Sequence, residues 1–185
     1  MKIQINNLTK KYGKKVVFDN YSKLLDFDNI LIIKGESGLG KTTLIRILAG
    51  LEKADGGKID TPTNKISFMF QEDRLIPFIS VLKNLTAVCN EKTALHYLRL
   101  MGLEHEKDSS PLTLSGGMRR RVSLARALCF DSELVILDEP FKGLDDELKK
   151  QICEIIKQES EKRNFIIISH DVEDATLLNA KIIEL

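Results

Sequence analysis

The stretch Gly35-Glu36-Ser37-Gly38-Leu39-Gly40-Lys41-Thr42 constrains this chain more than any other segment. It fits G-x-x-x-x-G-K-[ST], the glycine loop that cradles the phosphates of a nucleoside triphosphate. Its flanks fit as well. Ile30-Leu31-Ile32-Ile33 before it reads as a buried strand, and Leu44, Ile45, Leu48 and Leu51 after it fall on one helix face. Strand, loop and helix in that order aim backbone N–H groups and the positive end of a helix dipole at an anion. Lys41 is placed to reach the β- and γ-phosphates, and the Thr42 hydroxyl to hold Mg²⁺. Residues Gly35, Glu36, Ser37, Gly38, Leu39, Gly40, Lys41, Thr42 and Thr43 are therefore the expected nucleotide-binding run. A glycine-rich turn that binds nothing is the plain alternative, and the flanking strand and helix weigh against it. Kinases, GTPases, motors and transporters share such a loop, so the rest of the chain must choose among them.

The chain has 185 residues, enough for one sizeable core and short for two independent domains. Its formal net charge of +1 argues against a surface built around nucleic-acid phosphates. Cys89, Cys129 and Cys153 are widely spaced, which suggests neither a disulfide framework nor a zinc site. They read as small apolar packing in a reducing compartment. No apolar run approaches the roughly 20 residues needed to cross a bilayer. Met1-Lys2-Ile3-Gln4-Ile5 alternates like a strand and lacks the apolar stretch of a secretory signal. A cytoplasmic chain is expected, with any membrane role supplied through a partner.

Residues 2–8 and 16–18 read as short strands, with Lys10 to Lys15 as a turn whose tip is Gly13. Ala54 to Lys58 reads as another turn, Ile59 begins a short extended piece, and Ile66 to Phe70 is a strand ending at Gln71. Helical spacing runs from Val81 to about Gly102, and Ser115-Gly116-Gly117 opens a further helix. Leu134-Val135-Ile136-Leu137 and Phe165-Ile166-Ile167-Ile168 are two more buried strands, separated by a charged helix from about Asp145 to Lys162. Continuous β-branched runs alternating with helices predict a parallel sheet covered on both faces. The helical middle then reads as an insertion into an α/β core.

Leu134 to Leu137 is followed directly by Asp138-Glu139. A buried strand ending in two acids presents both at its carboxyl edge, where open α/β sheets bind ligands. Asp138 can hold Mg²⁺, and Glu139 can orient or deprotonate the water that attacks a γ-phosphate. Many strands end in a solvated acid, so this pair gains its meaning from the neighbouring phosphate loop.

Leu114-Ser115-Gly116-Gly117-Met118 settles the family. It resembles the LSGGQ signature of ATP-binding cassette (ABC) proteins, and the remaining segments fall into that family's order. Gln71 matches the Q-loop, Gly143-Leu144-Asp145 the D-loop, and His170 in Ile168-Ser169-His170-Asp171 the switch histidine. Tyr12 matches the aromatic on which the family stacks adenine; packing against a small β layer is its plain alternative. The resemblance covers nearly the whole chain. It implies an α/β P-loop NTPase fold with a mostly parallel core sheet, a small N-terminal antiparallel β layer and an inserted helical subdomain. Residues 1–185 would form a single domain, with about 72–128 as the helical part. It also implies that Gln71 joins Thr42 and Asp138 around the metal, and that Lys41, Gln71, Glu139 and His170 act in hydrolysis. Ser115, Gly116 and Gly117 form a second anion site at a helix start. In the family that site faces the ATP of a second cassette, so a head-to-tail dimer of this chain is implied. His96 and His105 read as surface or core residues, and the Arg119-Arg120-Arg121 run, ordinarily a solvated helix face, stays unassigned.

The segment Phe70 to Phe78, the methionine of the signature and Asp138-Glu139-Pro140-Phe141-Lys142-Gly143-Leu144-Asp145 are similar to importer cassettes for nitrate, sulfonate and taurine. The likeness implies an ATP-hydrolysing subunit on the inner face of the cell membrane. Its partners would be an integral permease and, through it, a solute-binding protein, with no nucleic acid. Leu75, Ile76, Pro77, Phe78 and Ile79 form a concentrated apolar stretch suited to that docking, unless it packs the insertion onto the core. Two alternatives stand beside this one. A soluble ABC ATPase in repair or on ribosomes is disfavoured because only Glu72 to Thr113 separate Gln71 from the signature, and because there is one cassette. A nucleotide-sensing module that does not hydrolyse is disfavoured by Glu139 and His170.

Overall fold

A computed structural model describes residues 1–185. The chain begins with two long antiparallel strands, β1 (Lys2–Tyr12) and β2 (Lys15–Asp26), joined by a turn with Gly13 at φ +57°. Then come β3 (Ile30–Lys34), α1 (Lys41–Leu48), β4 (Gly56–Asp60) and β5 (Ile66–Met69). Helices α2 (Val81–Thr86), α3 (Glu91–Leu100) and α4 (Gly116–Cys129) follow, and then β6 (Leu134–Asp138). The chain closes with α5 (Asp146–Ser160), β7 (Asn164–Ile168), α6 (Val172–Leu178) and β8 (Lys181–Glu184).

Two sheets form. The small one is antiparallel in the order β2-β1-β4. The large one is parallel throughout, in the order β5-β6-β7-β3-β8. Strand alternation explains why its central strands carry unbroken runs of four apolar residues. Ile30, Ile32, Val135, Leu137, Phe165 and Ile167 point into one core, shared with α2 to α5. Leu31, Ile33, Leu134, Ile136, Ile166 and Ile168 point into the other, shared with α1 and the small sheet. Both faces are covered, so neither register of the pleat can carry a polar residue without loss. The helical middle is not a separate body energetically, because Leu98 and Val122 join the same continuous core as Val135 and Phe165.

Several elements differ from the sequence expectations. Both N-terminal strands run well beyond residues 2–8 and 16–18, and Lys10 to Tyr12 is strand, not turn. The register of the pair shifts between Ile5 and Leu8, and twice more between Leu8 and Lys11, and these irregularities break the alternation that marks a strand in sequence. The helical stretch from Val81 is two helices. Asn90 caps the second, its side chain accepting from the Thr93 N–H, and the chain turns there. Helix α6 and strand β8, which no pattern announced, complete the sheet beside β3.

Candidate nucleotide site

Every expected phosphate- or metal-handling residue of the α/β core lies at the carboxyl edge of the parallel sheet. The glycine loop follows β3, Gln71 follows β5, Asp138 ends β6 with Glu139 next, and His170 lies just past β7. Parallel strands put these four ends side by side, which is the ligand-binding edge of an open α/β sheet.

The loop reaches α1 through Gly40, which caps the helix at φ +94°. A Cβ there would come within 2.5 Å of Val17 and 2.9 Å of Phe18, so both backbone and packing demand glycine. No side chain caps this helix start, which leaves its N–H groups open to an anion. The Lys41 side chain lies almost buried and curls back along the loop. Its Nζ donates to the Gly35 and Glu36 carbonyls, each at 2.7 Å. Those carbonyls hold the ammonium where a phosphate oxygen could replace them.

Thr42 and Asp138 meet directly, the Thr42 Oγ1 donating to Asp138 Oδ2 at 3.0 Å. The other oxygen, Asp138 Oδ1, is buried with no hydrogen-bond partner. Burial raises this carboxyl above its ordinary value, and the Thr42 hydrogen bond only partly offsets the effect. A buried, half-unsatisfied carboxylate beside a hydroxyl is the oxygen donor set that suits Mg²⁺.

Glu139 is the hub of the remaining groups. Its Oε2 accepts from Gln71 Nε2 at 3.2 Å and lies 3.5 Å from Lys142 Nζ, and its Oε1 lies 3.1 Å from His170 Nε2. Partial burial would raise its carboxyl, but the His170 hydrogen bond, the Lys142 charge and the Gln71 amide together hold it below its ordinary value. The residue is ionised at neutral pH, as a proton acceptor must be. Its backbone has φ +52°, unusual for a residue with a side chain, and its N–H donates to the Ile168 carbonyl at 3.1 Å. Lys149 of α5 bridges Asp171 at 2.6 Å and the buried Asp174 at 2.5 Å, tying α5 to the segment just after His170.

These groups converge on a cleft of about 350 Å³ lined by Tyr12, Gly38, Lys41, Thr42, Glu139 and His170, among others. The Tyr12 ring is half exposed at its mouth, and its hydroxyl bonds to Glu52. Ser115, Gly116 and Gly117 are not among the lining residues. Ser115 caps α4, its Oγ accepting from Met118 N–H at 3.2 Å, and Ser115 and Gly116 are exposed. One chain thus brings the phosphate loop, the carboxylates, Gln71, His170 and Tyr12 together, and leaves the signature apart.

One arginine of the run 119–121 proves to belong with this machinery. Arg120 is buried, whereas Arg119 and Arg121 are half-buried and donate to the carbonyls of Leu114 and of Met101 at the end of α3. The signal was present in the helical period, since Arg120 shares a face with the buried Leu124, Ala127 and Leu128.

The family model described as ABC transporter matches residues 18–142. The chain is 36% identical to an aliphatic sulfonates import ATP-binding protein of Paraburkholderia xenovorans, across 98% of this chain and 75% of that one. It is 34% identical to a probable sulfate/thiosulfate import ATP-binding protein of Chlorella vulgaris, across 99% and 86%. Among solved structures, the dimeric post-hydrolysis state of the ATP-binding cassette MJ0796, bound to ADP and Pi, superposes with a TM-score of 0.89. Sequence identity there is 26%, over 99% of this chain and 94% of the other. The chain belongs to the ABC transporter family, and within it is an ATP-binding cassette ATPase homologous to import ATP-binding subunits.

Proposed function

We propose that this cassette hydrolyses ATP as a head-to-tail dimer and so powers import of a small solute through a membrane permease. The observation that carries the proposal is the division of the site. Most of the phosphate loop, with Gln71, Glu139 and His170, lines one cleft, and a second anion-ready helix start is held outside it. The dimeric state of the structurally similar cassette and the names of the import relatives support the same reading.

In this scheme Tyr12 stacks on adenine, and residues 35–43 hold the phosphates through backbone N–H groups and Lys41. Thr42, Gln71 and Asp138 would hold Mg²⁺, which when bound neutralises charge on the β- and γ-phosphate oxygens. Glu139 accepts a proton from the attacking water. His170, already hydrogen-bonded to Glu139, steadies both that carboxylate and the γ-phosphate. Ser115, Gly116 and Gly117 of the second copy close over the same γ-phosphate. Water adds to the γ-phosphorus as its bond to the β–γ bridging oxygen breaks, giving ADP and inorganic phosphate; once the phosphate leaves, the anion that bridged the two copies is gone and they part.

Permease contact is assigned to the segment after Gln71. Phe78 is 90% exposed and Ile76 45%, while Leu75 packs inward, so the apolar stretch is presented at the surface and anchored from below. The docked cassette would sit peripherally on the inner membrane face, and no helix here is long and apolar enough to cross a bilayer. Any solute-binding protein would be reached through the permease. Helices 72–128 would act as the lever between nucleotide and permease within one domain.

The test is steady-state phosphate release by the purified protein and by Glu139→Gln, alongside membrane co-fractionation of the Phe78→Asp variant. Release should fall about 100-fold or more in Glu139→Gln, with MgATP binding retained. Phe78→Asp should lose membrane association at unchanged hydrolysis. Equal release by wild type and Glu139→Gln would sink the catalytic assignment, and undiminished membrane recovery of Phe78→Asp the docking assignment.

A further inference from the structure

Arg120 sits in the second turn of α4, the helix that starts at the signature, and only 5% of it is exposed. Its guanidinium spans two strand ends. Nη1 donates to the Phe70 carbonyl at 3.0 Å and the Gln71 carbonyl at 2.7 Å. Nη2 donates to the Asp138 carbonyl at 2.7 Å and to the Glu139 carbonyl. Asp73 Oδ1, 3.5 Å from Nη1, balances the charge. The four carbonyls lie where β5 and β6 end and their ladder runs out, so a single side chain supplies donors that the sheet no longer provides. Two of them belong to Gln71 and Glu139, whose side chains bond each other at 3.2 Å. The Glu139 carbonyl is also part of the one positive-φ peptide in the carboxylate cluster, a conformation that persists only when its surroundings hold it.

We propose that Arg120 is a positioning residue for hydrolysis. Its planar fork locks the Gln71 and Glu139 backbones together, and fixes both to the helix whose N-terminus carries Ser115, Gly116 and Gly117. It does not line the nucleotide cleft and acts through Glu139. This rests on the assignment of Glu139 as the proton acceptor. No smaller donor does the same, because a lysine head is a compact point that cannot serve two strand ends at once. Displacing a reacting group by about 1 Å can cost on the order of 100-fold in rate, while ground-state contacts to the phosphates stay as they were. A shift confined to kcat is therefore expected.

The experiment measures kcat, KM for MgATP and single-turnover hydrolysis for wild type, Arg120→Met, Arg120→Lys, Arg120→Gln, Glu139→Gln and the double variant Arg120→Met/Glu139→Gln, with thermal unfolding of each. Arg120→Met and Arg120→Lys should lower kcat at least about 10-fold with KM within about threefold. Arg120→Gln, whose two N–H donors share one nitrogen, should lose as much as Arg120→Lys. Arg120→Met should not slow a protein that already carries Glu139→Gln, because both changes remove one function. If Arg120→Met does not fold, Arg120→Lys alone decides. Wild-type kcat in a folded Arg120→Lys or Arg120→Met would overturn the proposal, as would a double variant slower than Glu139→Gln by the full single-variant factor. A loss that appears wholly as raised KM would overturn it too. Should Glu139→Gln itself keep wild-type hydrolysis, it is the assignment of Glu139 that fails, a result separate from any of these.

Discussion

The chain carries two glycine-bearing helix starts, and they are built for different things. At α1, Gly40 has φ +94° and a Cβ would collide with Val17, so its own fold requires the glycine. At α4, Gly117 has no positive φ, and a Cβ would meet nothing nearer than the Gly143 carbonyl at 3.8 Å. Nothing inside the chain forbids a side chain there. The first helix start has no side-chain cap and opens into a cleft with Lys41, Thr42 and Glu139. The second is capped by Ser115 and lies outside that cleft. At Gly40 the fold itself demands glycine, and the cleft beside it is lined by this chain's own residues. At Gly117 the fold makes no such demand, and in the proposed dimer the room left there faces the phosphate held by a second copy.

Damaging each helix start separately tells the two apart. Lys41→Ala and Gly117→Asp should each lower hydrolysis at least about 100-fold, the first by losing a phosphate contact and the second by facing the partner's γ-phosphate with a carboxylate. Only Lys41→Ala should weaken nucleotide binding by the isolated chain. An equimolar mixture of the two variants should regain measurable hydrolysis, since a mixed dimer has one undamaged composite site. Phosphate release from the mixture checks this, and release no greater than the sum of the separate proteins would leave the signature without its role.

A smaller effect concerns the carboxylate beside Thr42. Asp138 is raised by burial, so its ionised form opposes folding. That opposition is complete above the raised value and fades as pH falls through it toward the unfolded-state value. Asp138→Asn should therefore stabilise the nucleotide-free protein at neutral pH by on the order of 1 kcal/mol while abolishing hydrolysis. Thermal unfolding at pH 7 checks the sign, and a destabilised variant would contradict it. The smallest effect is expected at Ser115. Ser115→Ala should cost about 1 kcal/mol through the lost cap, readable as a lower midpoint in denaturant.

Much of the site was legible because its chemistry is local in sequence. The phosphate loop, Asp138-Glu139 and His170 each follow an apolar run, and parallel strands need no further information to bring their ends together. What was illegible depended on pairing across distance. The N-terminal strands hide behind register shifts, and β8 is a short segment, exposed at Lys181, Ile182 and Glu184, that becomes a strand only by pairing with β3. Composition reads the three arginines 119–121 as one solvated face. Only the helical phase, with Leu124 and Ala127 on its side, separates Arg120 from its neighbours.

The most direct test of the divided site is the dependence of phosphate release on protein concentration, with light scattering to follow mass in MgATP. If each site needs a loop from one copy and a signature from another, specific activity should rise roughly in proportion to concentration while the protein is mostly monomeric. It should level off as the dimer fills. Specific activity that stays flat on dilution, in a protein that scattering shows to be monomeric with MgATP, would mean that one chain hydrolyses alone and would contradict the account.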